Sequence, residues 1–128
     1  MVMEKNYTVW KLLKVYILLL LSILMSGSIN AQSPCEGDDL CVVQFNAGFN
    51  KANEVTWLNK LTDCNTKFID IQVDATAASK YKIVVVPTIV IYNGEEEVER
   101  FQANIMMQME AKKSDVQNKI DEIIMEGF

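Results

Sequence analysis

Histidine is missing from this sequence altogether. That removes Ser-His and Cys-His nucleophilic machinery and every imidazole metal site. Cysteine is scarce: Cys35, Cys41 and Cys64 are the whole supply, and their spacing is not that of a zinc site. The five glycines form no phosphate-cradling loop. Positive charge is also short, with 12 Lys and Arg against 17 Asp and Glu, a net charge of −5. Beyond Ala31 the balance is nine against sixteen, or −7. Nucleic-acid affinity depends on cations neutralising phosphates, so a nucleic-acid partner is not expected. Anionic lipid is opposed in the same way. The bland consequence of the acidity is solubility. Asp70 with Asp74, and the run Glu95–Glu97, are read as solvated faces rather than a catalytic carboxylate pair or calcium site. No cofactor or metal is expected.

Long apolar runs are limited to one. Val15 to Met25 is broken only by Ser22, follows Lys5, Lys11 and Lys14, and leads into Ser26-Gly-Ser-Ile-Asn-Ala-Gln-Ser33. A basic start, a short apolar stretch and a small-residue exit describe a secretory signal. A spanning helix wants about 20 apolar residues, and this run is shorter. Cleavage is expected after Ala31, with Ser28 as the alternative; an uncleaved anchor is the competing reading. Gln32-Ser-Pro34 before Cys35 is not a lipobox. The chain is therefore divided into a signal peptide over 1–31, an N-terminal loop over 32–40 and one domain over 41–128. Its expected location is exported, periplasmic or secreted, with membrane association only if the leader stays attached.

Within the domain, Cys41-Val-Val-Gln-Phe45 is apolar and β-prone, suited to a strand buried on both faces. A helix is predicted from Lys51 to Thr62, with Ala52, Val55, Leu58 and Thr62 at helical spacing and Asn50 as its N-cap. Lys67 to Val73 alternates, placing Phe68, Asp70 and Gln72 on one side and Ile69, Ile71 and Val73 on the other. Ala75 to Tyr81 reads as a short helix capped by Asp74. In Ile83–Tyr92 the strand should follow Pro87, which cannot donate within a central ladder. Asn93-Gly94 signals a hairpin, and Glu95 to Phe101 returns as an exposed or edge strand. Ser114-Asp-Val-Gln117 reads as a capping box for a final helix with Val116, Ile120, Ile123 and Ile124 on one face. In the intervening stretch, Met106, Met107 and Met109 are read as core filling ahead of a binding surface. The order is β-α-β-α-β-β-α: an α/β fold with a central mixed sheet of about four strands flanked by helices.

Several segments carry a resemblance to the thioredoxin-like family. Val42-Val-Gln-Phe-Asn-Ala47 is similar to the strand that delivers the reactive turn. Asp74 to Ile83 resembles the family's aspartate, short helix and Lys-Tyr. Val86-Pro87-Thr88 resembles the cis-proline loop, and Tyr92-Asn-Gly-Glu95 the hairpin after it. The resemblance covers Cys41 to Phe128 and lacks the variable first strand and helix. It implies a cis Val86–Pro87 bond, with Val86 beside extended substrate peptide. Asn50 and Asn53 occupy the positions of the attacking and resolving cysteines, Asn46 and Phe49 those of the usual tryptophans, and Gln44 that of the buried proton-relay acid. An amide cannot become a thiolate or attack a disulfide, so the resemblance implies the thioredoxin fold without the CxxC motif.

The candidate peptide groove is thus Phe49, Asn50, Asn53, Val86, Pro87 and Thr88, with no catalytic residue. Three single disulfides are open. Cys41–Cys64 joins two points that share one pole of the implied fold; Cys35–Cys41 closes a short loop. Loop closure is worth about 3.4 kcal/mol for the first and about 2.4 for the second, too close to choose. The leading functional expectation is a non-catalytic module for protein or extended peptide. The alternatives are an atypical thiol-disulfide oxidoreductase using Cys35, Cys41 or Cys64, and an assembly domain using the Glu95–Glu99 edge or the methionines.

Overall fold

The computed structural model describes residues 2–25 and 33–127. They fall into two compact units, Met1–Asn30 and Ala31–Phe128. The first holds α1 (Val2–Met25). Among the described residues no helix is long and apolar enough to cross a membrane. Both expected cleavage points, after Ser28 and after Ala31, lie outside the described residues.

The second unit is built on β1 (Leu40–Asn46), β2 (Asn65–Asp70), β3 (Thr88–Asn93) and β4 (Glu96–Gln102), with α2 (Ala77–Lys80) and α3 (Lys113–Glu126). The sheet order is β2-β1-β3-β4. β1 pairs parallel with β2 and antiparallel with β3, and β3 pairs antiparallel with β4. Alternation along β1 divides the core. Val42 joins Ile89, Ile91, Val55, Leu58, Leu61, Val116 and Ile120 on one face. Cys41, Val43 and Phe45 join Val90, Tyr92, Ala77 and Tyr81 on the other. Fully burying side chains of this size contributes roughly 1.5–3 kcal/mol each. The sheet is mixed and covered on both sides, as the alternation predicts.

The predicted helix over 51–62 does not form. Two 3-10 turns, Gly48–Asn53 and Leu58–Lys60, replace it. The buried apolar residues there are Val55, Leu58 and Leu61, a spacing of three rather than 3.6. Two glutamines hold the segment in place. Gln44 Nε2 donates to the Val55 carbonyl at 3.0 Å, and its Oε1 accepts the Val55 N–H at 2.8 Å. Gln117 Oε1 accepts the Thr62 N–H at 2.9 Å, and its Nε2 donates to the Thr62 carbonyl at 3.2 Å. Backbone groups that a helix would pair internally are satisfied from outside.

Other boundaries shift for local reasons. β2 starts and ends earlier than its alternation predicts, because Asp70 makes a turn: its Oδ1 accepts the Gln72 N–H and its carbonyl accepts those of Val73 and Asp74. Val73 is consequently left outside the core. Asp74 Oδ1 binds the N–H and hydroxyl of Thr76, so α2 is capped by Thr76 and shrinks to four residues. α3 begins at Lys113, one residue before Ser114. Asp115, not Ser114, makes the cap, accepting the Lys112 N–H at 2.7 Å. The hairpin turn is Gly94-Glu95 between paired Asn93 and Glu96, where Gly94 takes φ +61°, a conformation that suits glycine.

Candidate functional site

The chain leaves the C-terminal end of β1 through Asn46, Ala47 and the 3-10 turn at Gly48–Asn53. Ala47, not Asn50, is the N-cap of that turn, and Asn50 sits inside it with non-helical φ −107° and ψ 22°. Gly48 is required to be small: a β-carbon there would lie 2.9 Å from Gln72 Oε1, the atom that accepts the Phe49 N–H.

Asn50 is buried, at 4% exposure. Its Nδ2 lies 3.2 Å from Asn46 Oδ1, 3.2 Å from the Val86 carbonyl and 3.1 Å from the Met107 carbonyl. Two N–H bonds face three acceptors, so one is shared. Asn53 Nδ2 donates to Asn50 Oδ1 at 2.9 Å, and Asn46 Nδ2 to the Asn50 carbonyl at 3.2 Å. Three asparagines therefore knit the turn, the loop before Pro87 and the loop at Met107. Gln44, buried behind them, is spent on Val55.

The Val86–Pro87 peptide is cis. Val86, Pro87 and Thr88 are all buried, and the Thr88 hydroxyl donates to the Val85 carbonyl at 2.6 Å. The Val86 carbonyl carries the Asn50 hydrogen bond. Of the six groove residues read from the sequence, only Phe49 is broadly exposed, at 65%. Phe49 and Val86 share a cavity of about 260 Å³ with Ile71, Ile83, Val84 and Ile105. Asn104 and Met107 close its rim.

Of that rim, the sequence reading offered Met107 only as the alternative to core filling, and it singled out neither Asn104 nor Ile105. Asn104 Oδ1 accepts the N–H groups of Met106 and Gln108, folding a tight loop that holds Ile105 fully in solvent and Met106 at 67% exposure. Met107 takes φ +58°, a left-handed conformation that costs a side-chain-bearing residue roughly 1–2 kcal/mol; the Asn50 bond to its carbonyl anchors it. Core filling is overturned for Met106 and Met107 and holds for Met109, which packs against the core. The only sequence signal was an apolar triplet, Ile105-Met-Met107, with no period.

The disulfide is Cys35–Cys41, and Cys64 is a free thiol. Cys41–Cys64 is excluded by the pleat: Cys41 packs on the Tyr81 face with Cys35, whereas Cys64 packs on the Leu58 face. Burial pushes the Cys64 thiol up, and neighbouring Asp63 adds to the shift. Cys64 precedes β2, level with the start of β1, so the strand length of roughly 20 Å separates it from the turn at Asn50. Among the described residues no cluster could hold a metal ion.

A parallel β1–β2 pair, an antiparallel β3–β4 hairpin entered through a cis proline, and α3 against the Val42 face complete the pattern. The fold is thioredoxin-like. A mutant thioredoxin from Halobacterium salinarum superposes with a TM-score of 0.53 at 24% identity over 66% of this chain and 74% of its own. Thioredoxin-2 of the malaria parasite superposes with a TM-score of 0.55 at 16% identity, over 69% and 86%. A designed protein reaches 0.53 at 21% identity, over 74% and 85%. No protein-family model and no curated protein matches the sequence. In the turn after β1 the Asn50 and Asn53 side chains are bonded to each other.

Proposed function

We propose that this chain is an exported, non-catalytic module of thioredoxin-like fold that binds an apolar segment of a protein partner. One observation carries the reading. Phe49, Val84, Ile105 and Met107 are exposed around a cavity that Val86 also lines, while Asn50 and Asn53 spend their amides inside the protein. A patch of exposed apolar side chains grouped around one cavity marks an interaction site. Recognition would come from side-chain burial, because the Val86 carbonyl is already engaged by Asn50. Phe49 and Ile105 supply the contact area, and Val84 and Met107 the walls.

The cysteines support the non-catalytic reading. Disulfide exchange needs a thiolate. Cys41 is buried and held by Cys35, and the raised Cys64 pKa lowers its thiolate fraction. Export is supported by the basic start and short apolar run of the leader.

The test pairs two assays on the full chain. Apolar peptides selected from a displayed library should bind, and Phe49→Asp or Ile105→Asp should weaken binding by about ten-fold or more. Insulin reduction should stay at background. Insulin turnover lost in Cys64→Ser, or peptide binding indifferent to both aspartate variants, would overturn the proposal.

A further inference from the structure

β2 is an edge strand. Its neighbour on one side is β1, and among the described residues it has none on the other. Asn65, Thr66, Lys67 and Phe68 are exposed in succession, Phe68 at 47%. The Ile71 N–H bonds the Asn46 carbonyl of β1. In a parallel ladder alternate residues face the same neighbour. Lys67 and Ile69 therefore bond to β1, and the backbone groups of Thr66, Phe68 and Asp70 point outward. The Asp70 carbonyl is taken by the N–H groups of Val73 and Asp74. Among the described residues, nothing bonds the N–H or carbonyl of Thr66 or Phe68. An open edge bearing an exposed aromatic is a template for another strand.

We propose that β2 pairs antiparallel with β2 of a second copy of this chain, about a two-fold axis through Phe68. The outward groups are self-complementary in that register. Phe68 exchanges both of its backbone hydrogen bonds with Phe68 of the second copy. The Asp70 N–H of each copy donates to the Thr66 carbonyl of the other. Charge selects the register. Lys67 faces Ile69 and Thr66 faces Asp70, so no like charges meet, and the two Phe68 rings lie side by side, a favourable cross-strand pair. Centring the axis on Lys67 would oppose two lysines. The opposite edge of the sheet is unsuited to self-pairing, because β4 carries Glu96, Glu97 and Glu99 and like charges repel. The pairing joins two four-stranded sheets into one. Phe68, at the centre of the pairing, does not line the cavity beside Phe49 and Ile105.

The experiment is sedimentation of the full chain over a concentration series, with hydrogen exchange read at single amides. A dimer is expected, and the Phe68 and Asp70 amides should slow as concentration rises. Phe68→Lys should weaken the dimer by about ten-fold or more. Thr66→Pro places the ring at an outward N–H, so it spares the β1 ladder while crowding the new pairing, and should weaken the dimer similarly. A monomer at every concentration would overturn the proposal. So would an oligomer that both variants leave intact while those two amides exchange freely, which would assign association to another surface. A monomer that gains protection at these amides only with an added extended peptide also counts against it.

Discussion

Asn50 shows how one buried side chain can hold three segments together. A buried polar group is tolerated when its hydrogen bonds are made, and no buried side-chain polar atom among the described residues lacks a partner. Truncating Asn50 would orphan Asn46 Oδ1 and Asn53 Nδ2 and strip a donor from the carbonyls of Val86 and Met107. Asn50→Ala is therefore expected to destabilise the fold by about 3 kcal/mol in urea unfolding, since each buried orphan costs about 1–3 kcal/mol. A loss near zero would show that water replaces the amide. Asn50 is consequently the wrong residue for probing peptide binding, and Phe49, which is exposed, is the right one. Tyr92 offers a second residue-scale test. Burial first, and Glu97 across the hairpin second, push its hydroxyl from 10.0 up to about 12. The folded state thus holds the phenol proton more tightly than the unfolded chain. The resulting stability is intact below pH 10 and is lost as pH rises toward 12. Tyr92→Phe should unfold with a shallower loss over that window. Equal slopes for the two proteins would contradict the shift.

At the scale of elements, the segment 48–62 departs most from its sequence reading. The apolar spacing there admits both a helix and a pair of 3-10 turns. Helix propensity does not separate them, because Val55, Thr56, Asn53 and Asn59 all rank low. The decision falls to Gln44 and Gln117, whose amides clamp Val55 and Thr62 from a strand and a helix far away in sequence. A clamp of this kind requires both a donor and an acceptor on one planar group, which a carboxylate lacks. Gln44→Glu should therefore cost about 3 kcal/mol at about pH 8, where the buried carboxylate cannot donate to the Val55 carbonyl. The introduced carboxyl has a raised folded pKa, so the loss should shrink toward about pH 4 as it regains a proton and a donor. A cost independent of pH would assign the effect to packing. By contrast β1, β3, the residues after Pro87 and the buried face of α3 were legible. Their signals are local: β-branched runs, a proline that bars ladder donation, and Val116 and Ile120 one turn apart. The loop at Ile105 was not, because its exposure is set by Asn104 and by the Asn50 bond to Met107, neither of which leaves a periodic trace.

For the whole molecule, the Cys35–Cys41 bond ties the N-terminal loop to the first strand. Cys35→Ser should lower stability by about 2 kcal/mol, and a reductant should then have no further effect on unfolding, whereas it should destabilise the parent protein by a similar amount. Insensitivity of the parent to reductant would remove the bond from the stability of the fold. The sequence alone determined that the sheet is mixed and where the strand after Pro87 begins, because alternation and proline are properties of residues and their neighbours. Tertiary structure alone decided which cysteines meet, whether two asparagines face a partner or each other, and which methionines reach solvent. Those outcomes depend on what segments distant in sequence bring to each side chain, and that is not encoded in spacing along the chain.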